Sequence, residues 1–521
     1  MNRGRLVVAL LVAASAALVA HMGVFHFFVT DDAYISFVYS RNLAEHGELV
    51  FNLGERVEGY TNFLWTVFLA GWIKLGWLPE SSSVVWGAIC AIGTLVTCSW
   101  WLRRLRGDGP WSTWDAVPAL FLAAVPGYAC WAAGGLETQL FTFWVTLGSA
   151  LYASHPGRLH KGAAAAFALA ALTRPEGNLF FALAALHHLV GMVRERRLLP
   201  RRGEWAWLAV YLLLVLPHFL WRHHYYGYWV PNTFYIKSSG GKGTWERGIY
   251  YLGRWNEAFL MLPFALPMMV SLFLRPGAAV RRLYGYVLLV VVVFLIYVAS
   301  VGGDFMGLFR FVLPVVPMVV VGAILGLWVS LRRAPPFVAP ALVVALLGGY
   351  VWHTVAVDRA AQAYLGPGAS DNGIDSPGYL RWYTEDRAAI GRWFQKYAQP
   401  DDYAVVGGAG AQVYYSGMRS LDCFGLSDEY IAHKVPAVSN RPGHEKYAPV
   451  DYQLSHRPTV ITSNYYDIGR VPLVRDDAPF WRAHGYHYVS APIPGLSSPW
   501  YTFLKRIDRS LGPLPPGDSS P

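Results

Sequence analysis

Between residues 6 and 355 the chain returns repeatedly to apolar runs of roughly 20 residues, the length an α-helix needs to cross the ~30 Å hydrocarbon core of a bilayer. Inside hydrocarbon every backbone amide must be paired within its own element, so helices are what such runs can form. With 54% apolar and only 15% charged residues over 521 positions, the pattern specifies a polytopic α-helical membrane protein. The formal net charge of +10 is scattered in short clusters between the apolar runs: Arg3 with Arg5, Arg103 to Arg106, Arg158 with Lys161, Arg194 to Arg202, Arg275 to Arg282, and Arg332 with Arg333. That scatter argues against a nucleic-acid surface and reports topology instead, because Lys and Arg accumulate in cytoplasmic loops.

If every cluster is cytoplasmic, about eleven transmembrane helices can be laid out. They fall at residues 6–29, 83–102, 113–132, 138–153, 161–174, 178–193, 205–222, 257–274, 283–300, 312–331 and 337–355, and they leave the C-terminus outside. The apolar stretch TNFLWTVFLAGWIKLGW reads as an interfacial helix within a long first external loop, 30–82, since a crossing there would put Arg103, Arg104 and Arg106 outside. Ala14, Ser15 and Ala16 resemble a signal cleavage site, but the apolar run continues to Phe28, too long for a signal.

The transmembrane domain is expected over 1–355. From 356 the apolar runs shorten and charges mix, and 356–505 reads as a soluble α/β domain with strands in DYAVVGGAGAQVYYSG, RPTVITSN and HGYHYVSAPI and a helix in EDRAAIGRWFQKYA. The cluster Gly407, Gly408, Ala409, Gly410 lacks the GxGxxG spacing and reads as a turn, and the tail 506–521 reads as disordered. Cys90, Cys98 and Cys130 lie in or beside spans and Cys423 is alone in the C-terminal domain, so no disulfide framework or zinc-type spacing is present.

The polar clusters that are not basic turns fall at the external ends of the spans. They are DDAYISFVYSRN from 31, GERVEGYTNFLW from 54, GGLET from 134, TRPEG from 173, WVPNTFYIK from 229 and GGDFMGLFRF from 302. Ionisable groups at membrane depth are expensive and are usually functional. The adjacent pair Asp31 and Asp32, at the exit of the first span, stands out, because capping of the following helix would occupy one Asp and not two. Glu58 with Arg56, Arg174 with Glu176, and Asp304 with Arg310 have structural ion pairing as their alternative, and the Trp residues near the span ends have an aromatic belt.

Carboxylates at an external membrane face suit transfer of a sugar from a polyprenyl phosphate. The phosphate is already a good leaving group, whereas the acceptor hydroxyl needs a base. The departing phosphate calls for cations, for which Arg41, Arg174, Lys237 and Arg310 are candidates, and a second carboxylate can steady an oxocarbenium-like sugar. Glu58, Tyr60, Asn62, Glu137, Glu176, Asn232, Tyr235 and Asp304 complete the candidate donor-binding set, with Asp428, His433 and His444 for the acceptor. No metal ligand is assigned, although a lipid phosphate beside two carboxylates is compatible with a divalent cation.

The run DDAYISFVYSRNLAEHGELVFNLGERVEGYTNFLW resembles the GT-C class of lipid-linked-sugar glycosyltransferases, and more narrowly the terminal arabinofuranosyltransferases of actinobacterial cell-wall arabinan (AftB type). The likeness continues through GGLET, LTRPEG, PNTFYIK, GGDFMGLFRF, GAGAQVYYSGMRSLDCFGLSDEYIAH and PGHEKY. The resemblance implies a GT-C fold in the bacterial cytoplasmic membrane with an extracytoplasmic C-terminal domain. It further implies polyprenyl-phosphate-arabinofuranose as donor, an extracytoplasmic glycan as acceptor, and Asp31 or Asp32 as the catalytic carboxylate. Two alternatives stand beside it: a GT-C transferase using another polyprenyl-linked sugar such as mannose, and a lipid-linked glycan transporter, which would place polar groups at the midplane rather than at one face.

Overall fold

The computed structural model describes residues 3–155, 159–197, 199–236, 242–366, 369–439, 443–462 and 467–514. Arg158, Lys237 and the tail residues 515–521 lie outside the described residues.

Helix α1 (Arg3–Val24) is the first span. Among the described residues five more helices are long and apolar enough to cross a bilayer alone: Pro79–Leu105, Arg202–Tyr226, Ala278–Ser300, Arg310–Leu331 and Val338–Ala361. Two further units cross only as bent pairs, Thr113–Ala123 with Pro126–Ala133 (69°) and Lys242–Phe259 with Met261–Phe273 (76°). Each break has a local cause. Pro126 has no amide to continue the first helix, and Leu260 adopts a left-handed φ of 53° while the Asn256 Oδ1 accepts the Leu262 amide at 2.9 Å. All eleven expected spans carry helix, but length and composition support six to eight crossings. The difference falls mainly in Thr138–Ala153, Lys161–Thr173 and Gly177–Arg194, of 16, 13 and 18 residues. At 1.5 Å per residue the shortest spans roughly 20 Å, less than a hydrocarbon core.

Arg310–Leu331 is buried nearly throughout and forms the centre of the bundle, whereas Arg202–Tyr226 and Val338–Ala361 present most of their surface outward. The bundle is closed by a polar tie between its first and last long helices: His21 Nε2 lies 3.1 Å from the Asp358 carboxylate while His21 Nδ1 contacts the Ala123 carbonyl at 2.9 Å.

Between the first two spans, α2 (Asp31–His46) and α3 (Phe63–Lys74) replace the expected long loop with two packed helices. The 12-residue α3 is too short to cross, consistent with an interfacial helix.

The C-terminal domain opens with the helix Pro377–Tyr397, longer than its sequence pattern suggests because Pro377 takes the first position and the Ser376 hydroxyl accepts the Tyr379 amide. Its strands are β1 (Tyr403–Val406), β2 (Arg419–Asp422), β3 (Val460–Thr462), β4 (Ile468–Gly469), β5 (Tyr486–Pro492) and β6 (Trp500–Arg506). Parallel β2, β1 and β3 form one half of a mixed sheet, and antiparallel β6 joins it to β4 and β5. Packing runs past residue 506: Leu511 is buried in the same core as Trp393 and Phe503, which shortens the expected tail.

The first loop and the C-terminal domain are bolted together. Arg41 Nη1 donates to the Tyr414 carbonyl at 2.6 Å and stacks over its ring, and Asn52 Nδ2 donates to the Ser420 carbonyl at 3.0 Å. Arg41 is therefore committed to an interdomain contact.

Removing one partner of a buried polar pair leaves the other uncompensated, at a cost of about 3–5 kcal/mol. His21→Ala and Asp358→Ala are each expected to lower thermal stability in detergent by that order, and His21→Gln, which keeps a donor, by less. Unfolding monitored by intrinsic fluorescence checks this, and unchanged midpoints in both alanine variants would remove the tie's structural role.

Candidate active site

The acid pair is delivered by three backbone devices. Thr30 in extended conformation (φ −78°, ψ 154°) starts α2 without a side-chain cap, and its amide donates to the Gly134 carbonyl at 3.2 Å. The neighbouring Gly135 has a φ of +79°, and a Cβ there would stand 2.6 Å from Val29, so the GGLET turn can lie against the segment before the acids only as glycine. From the other side Gly410 approaches so closely that a Cβ would come within 2.0 Å of the Asp31 carbonyl oxygen. This lets the Ala411 amide donate to Asp31 Oδ1 at 2.8 Å, across the domain boundary.

Asp31 and Asp32 line a cavity of about 130 Å³ closed on the far side by Gly407, Gly408, Asp422 and His444, with Asp375, Tyr379 and Tyr383 on its walls. Gly407 follows β1 and Asp422 ends β2, so the cavity lies at the carboxyl ends of parallel strands, the usual ligand position of open α/β sheets. The glycine cluster read as a turn is one, and it is also a wall of this cavity.

Burial pushes the Asp31 carboxyl up to about 7; the Ala411 amide opposes that shift and the adjacent Asp32 adds to it. The positive end of α2 favours a carboxylate by about 0.3–1 kcal/mol, less than one pKa step, so burial wins. Arg387, fully buried on the helix Pro377–Tyr397, also opposes the shift from behind, with Nη1 3.5 Å from Gln412 Oε1. Asp422 is pushed up to about 6 by burial against the pull of the Phe424, Leu426 and Ser427 amides it accepts. Two carboxyls thus face one cavity with acidity set near neutrality. Among the described residues no group of three or more His, Cys, Asp or Glu is placed to hold a metal ion.

Of the other candidate site residues among those described, only His444 joins this cavity, wedged between Phe305 and Phe424 at ring separations of 5.5 and 4.6 Å. A second group forms a buried chain tied to α2: Ser36 bonds Asn62, Asn62 Nδ2 donates to Glu137 at 2.8 Å, Arg174 reaches Glu137 at 2.7 Å and Glu176 at 3.0 Å. Asp304 and Arg310 pair at 2.9 Å, and Arg310 shares a small cleft with Arg174. The expected phosphate cations Arg174 and Arg310 are thus satisfied by carboxylates. Asp304 also accepts the Phe305 amide at 2.8 Å, which positions a cavity wall.

A third group lies at another edge. Glu58, pushed up to about 8 by burial, faces Arg222 at 3.5 Å; Arg56 instead stacks on Tyr225. Tyr60 bonds the Tyr226 hydroxyl, and Asn232 Nδ2 binds the Gly425, Leu426 and Asp428 carbonyls. Tyr235 packs on His433 at 4.1 Å, and Asp428 caps its helix through the Ile431 amide at 2.8 Å. Asp428 and His433 are therefore away from the acid cavity. Sequence reasoning passed over Asp375, Tyr383, Arg387 and Asp422; the signal for Asp422 was an acid ending a strand beside a glycine turn.

Over 263 residues the chain is 27% identical to the terminal beta-(1->2)-arabinofuranosyltransferase of Mycobacterium tuberculosis, covering 47% of this chain and 40% of that one. Over 376 residues it is 28% identical to the protein of the same name from Corynebacterium glutamicum, covering 63% and 52%. The chain thus spans about half the length of the curated relatives it matches. Residues 378–504 match a domain of unknown function (DUF8728). Among solved structures, ArnT from Cupriavidus metallidurans bound to undecaprenyl phosphate superposes with a TM-score of 0.57 at 15% identity, over 96% of this chain and 97% of that one. The oligosaccharyltransferase of Archaeoglobus fulgidus does so with a TM-score of 0.53 at 10% identity, over 84% and 66%. The protein is a multi-pass membrane protein with the GT-C fold, and its sequence is similar to terminal arabinofuranosyltransferases.

Proposed function

We propose that this protein is a membrane glycosyltransferase that moves an arabinofuranosyl group from a polyprenyl phosphate to a hydroxyl of an extracytoplasmic glycan, working in the bacterial cytoplasmic membrane with its C-terminal domain outside. The observation that carries the reading is the buried Asp31, with acidity near neutral, facing a cavity with room for a single sugar ring just beyond the exit of α1. The names of the sequence relatives and the undecaprenyl phosphate bound to the structural relative support the sugar and the lipid.

In this reading Asp31 is the general base. Its Oδ1 accepts the Ala411 amide and the Gly410 amide also steadies the carboxylate, which takes the acceptor proton. As the acceptor oxygen bonds to the anomeric carbon, the bond from that carbon to the phosphate oxygen breaks and the lipid phosphate leaves with the electron pair. A base with pKa near the working pH combines the correct protonation state with useful driving force. Asp32, less buried than its neighbour, is placed to steady positive charge on the sugar or to orient a hydroxyl.

Asp31→Asn keeps an acceptor for the Ala411 amide and is expected to lower transfer by about 10²–10⁴-fold while leaving the protein folded. Full activity in both Asp31→Asn and Asp32→Asn would end the carboxylate proposal. A panel of polyprenyl-phosphate donors tests the sugar: transfer of mannose but not arabinofuranose would shift the reading to the hexosyl alternative.

The base must be ionised, so transfer is expected to rise as pH passes through about 7. Stability should move the other way. The folded-state pKa of Asp31 lies above its unfolded value, so its contribution is fully present below pH ~4, declines as pH rises toward 7 and is flat beyond. Asp31→Asn should remove that slope, which unfolding midpoints across pH will show.

Gly410→Ala places a methyl against the Asp31 carbonyl and is expected to cost transfer severely by separating acid and amide, with the C-terminal domain still folded by circular dichroism. Wild-type activity in that variant would show the close approach to be dispensable.

A further inference from the structure

A second, larger cavity of about 680 Å³ lies on the opposite face of the helix Pro377–Tyr397. Tyr379, Leu380 and Tyr383 of that helix line the acid cavity, whereas Arg381, Glu385, Ala388, Arg392 and Lys396, recurring every three or four residues, line this groove. The two cavities also share the segment that carries the acids: Phe28, Val29 and Tyr34 face the groove, and Thr30, Asp31 and Asp32 face the acid cavity.

The charge state of the groove is unlike that of the rest of the candidate machinery. Arg174, Arg222 and Arg310 are each held by a carboxylate. In the groove, neither Arg392 nor Lys396 has a carboxylate within 4 Å among the described residues; both are exposed, resting over the rings of Tyr415 and Tyr397 at 4.1 and 5.2 Å. Arg381 lies over the Trp382 ring at 5.7 Å, and its one carboxylate within 4 Å among the described residues is the exposed Glu385, at 3.7 Å. Exposed ion pairs of that kind contribute little, so Arg381 is readily recruited by another anion. Three cations against one carboxylate, set on aromatic residues, form a site for an anion on a ring-bearing ligand.

We infer that this groove docks the acceptor and that the acceptor is an acidic glycan, carrying phosphate or carboxylate groups. The inference rests on the transferase reading for its meaning but not for its measurement. Two observations favour a glycan over a lipid surface. The cations all belong to the C-terminal domain, beyond the end of the last long membrane helix at Ala361. The groove also has about five times the volume of the acid cavity, 680 against 130 Å³, as fits several sugar residues outside and a single ring within.

The test measures binding to the full-length protein in detergent, without donor, so its outcome is independent of whether transfer occurs; the Asp31→Asn transfer assay tests the transferase reading separately. The probes are a tetragalacturonate, a neutral maltotetraose and vesicles of phosphatidylglycerol. The expected result is that the wild-type protein binds tetragalacturonate in a salt-sensitive manner and maltotetraose at least tenfold more weakly. Arg392→Gln with Lys396→Gln should weaken tetragalacturonate binding at least tenfold, and Arg392→Lys with Lys396→Arg should restore most of it. Equal binding of the neutral glycan, or unchanged tetragalacturonate binding in the glutamine variant, would overturn the inference. Loss of vesicle binding in that variant with glycan binding retained would assign the groove to the membrane surface instead.

Discussion

The arrangement depends on one hydrogen bond across the domain boundary, from the Ala411 amide to the Asp31 carboxylate. A carboxylate taken out of water costs several kcal/mol unless it is paired, and the Ala411 and Gly410 amides offset only part of that. The remainder appears as a pKa raised to about 7. A stronger partner at Asp31 would have stabilised the junction and returned the carboxyl toward its ordinary pKa. The buried Arg387 beside it and the Gln412 amide hold the surrounding wall without neutralising the acid.

The polar chain from Ser36 through Asn62 and Glu137 to Arg174 and Glu176 has a different part. It fixes α2 to the turns that begin the shorter apolar helices, so the acids are held from the membrane side as firmly as from the C-terminal domain. Expensive ionisable groups near membrane depth here serve position. That division answers the ion-pairing alternatives: Arg174 with Glu176 and Asp304 with Arg310 are pairs, whereas Glu58 faces Arg222 rather than Arg56.

The helical membrane character was legible because apolar length and basic spacing are local properties. Asp31 and Asp32 stood out in the sequence because two adjacent acids at a span exit are unusual; that Asp31 is buried against Gly410 and Ala411 was not readable there. The division of the outer polar clusters into separate groups was not legible, because side-chain pairing depends on which loops meet: Arg41 sits beside the acids in sequence yet holds Tyr414, 373 residues away. Strands β2, β4 and β6 escaped notice for a related reason. β2 is four residues long with an exposed first position, too short for a two-residue alternation to register. Asp422 went unseen with it. Hydropathy does not reveal where a short helix stops inside the bundle, so the eleven apolar runs include helices shorter than a bilayer core, such as Lys161–Thr173.

The close approach of Gly410 to Asp31 joins residues some 380 positions apart. During synthesis the acid pair is therefore delivered to its face of the membrane long before the strand ends that complete its cavity have been made. Until then the Asp31 carboxyl lacks the burial that raises its pKa, so the cavity and the raised pKa form together, once the C-terminal domain has folded.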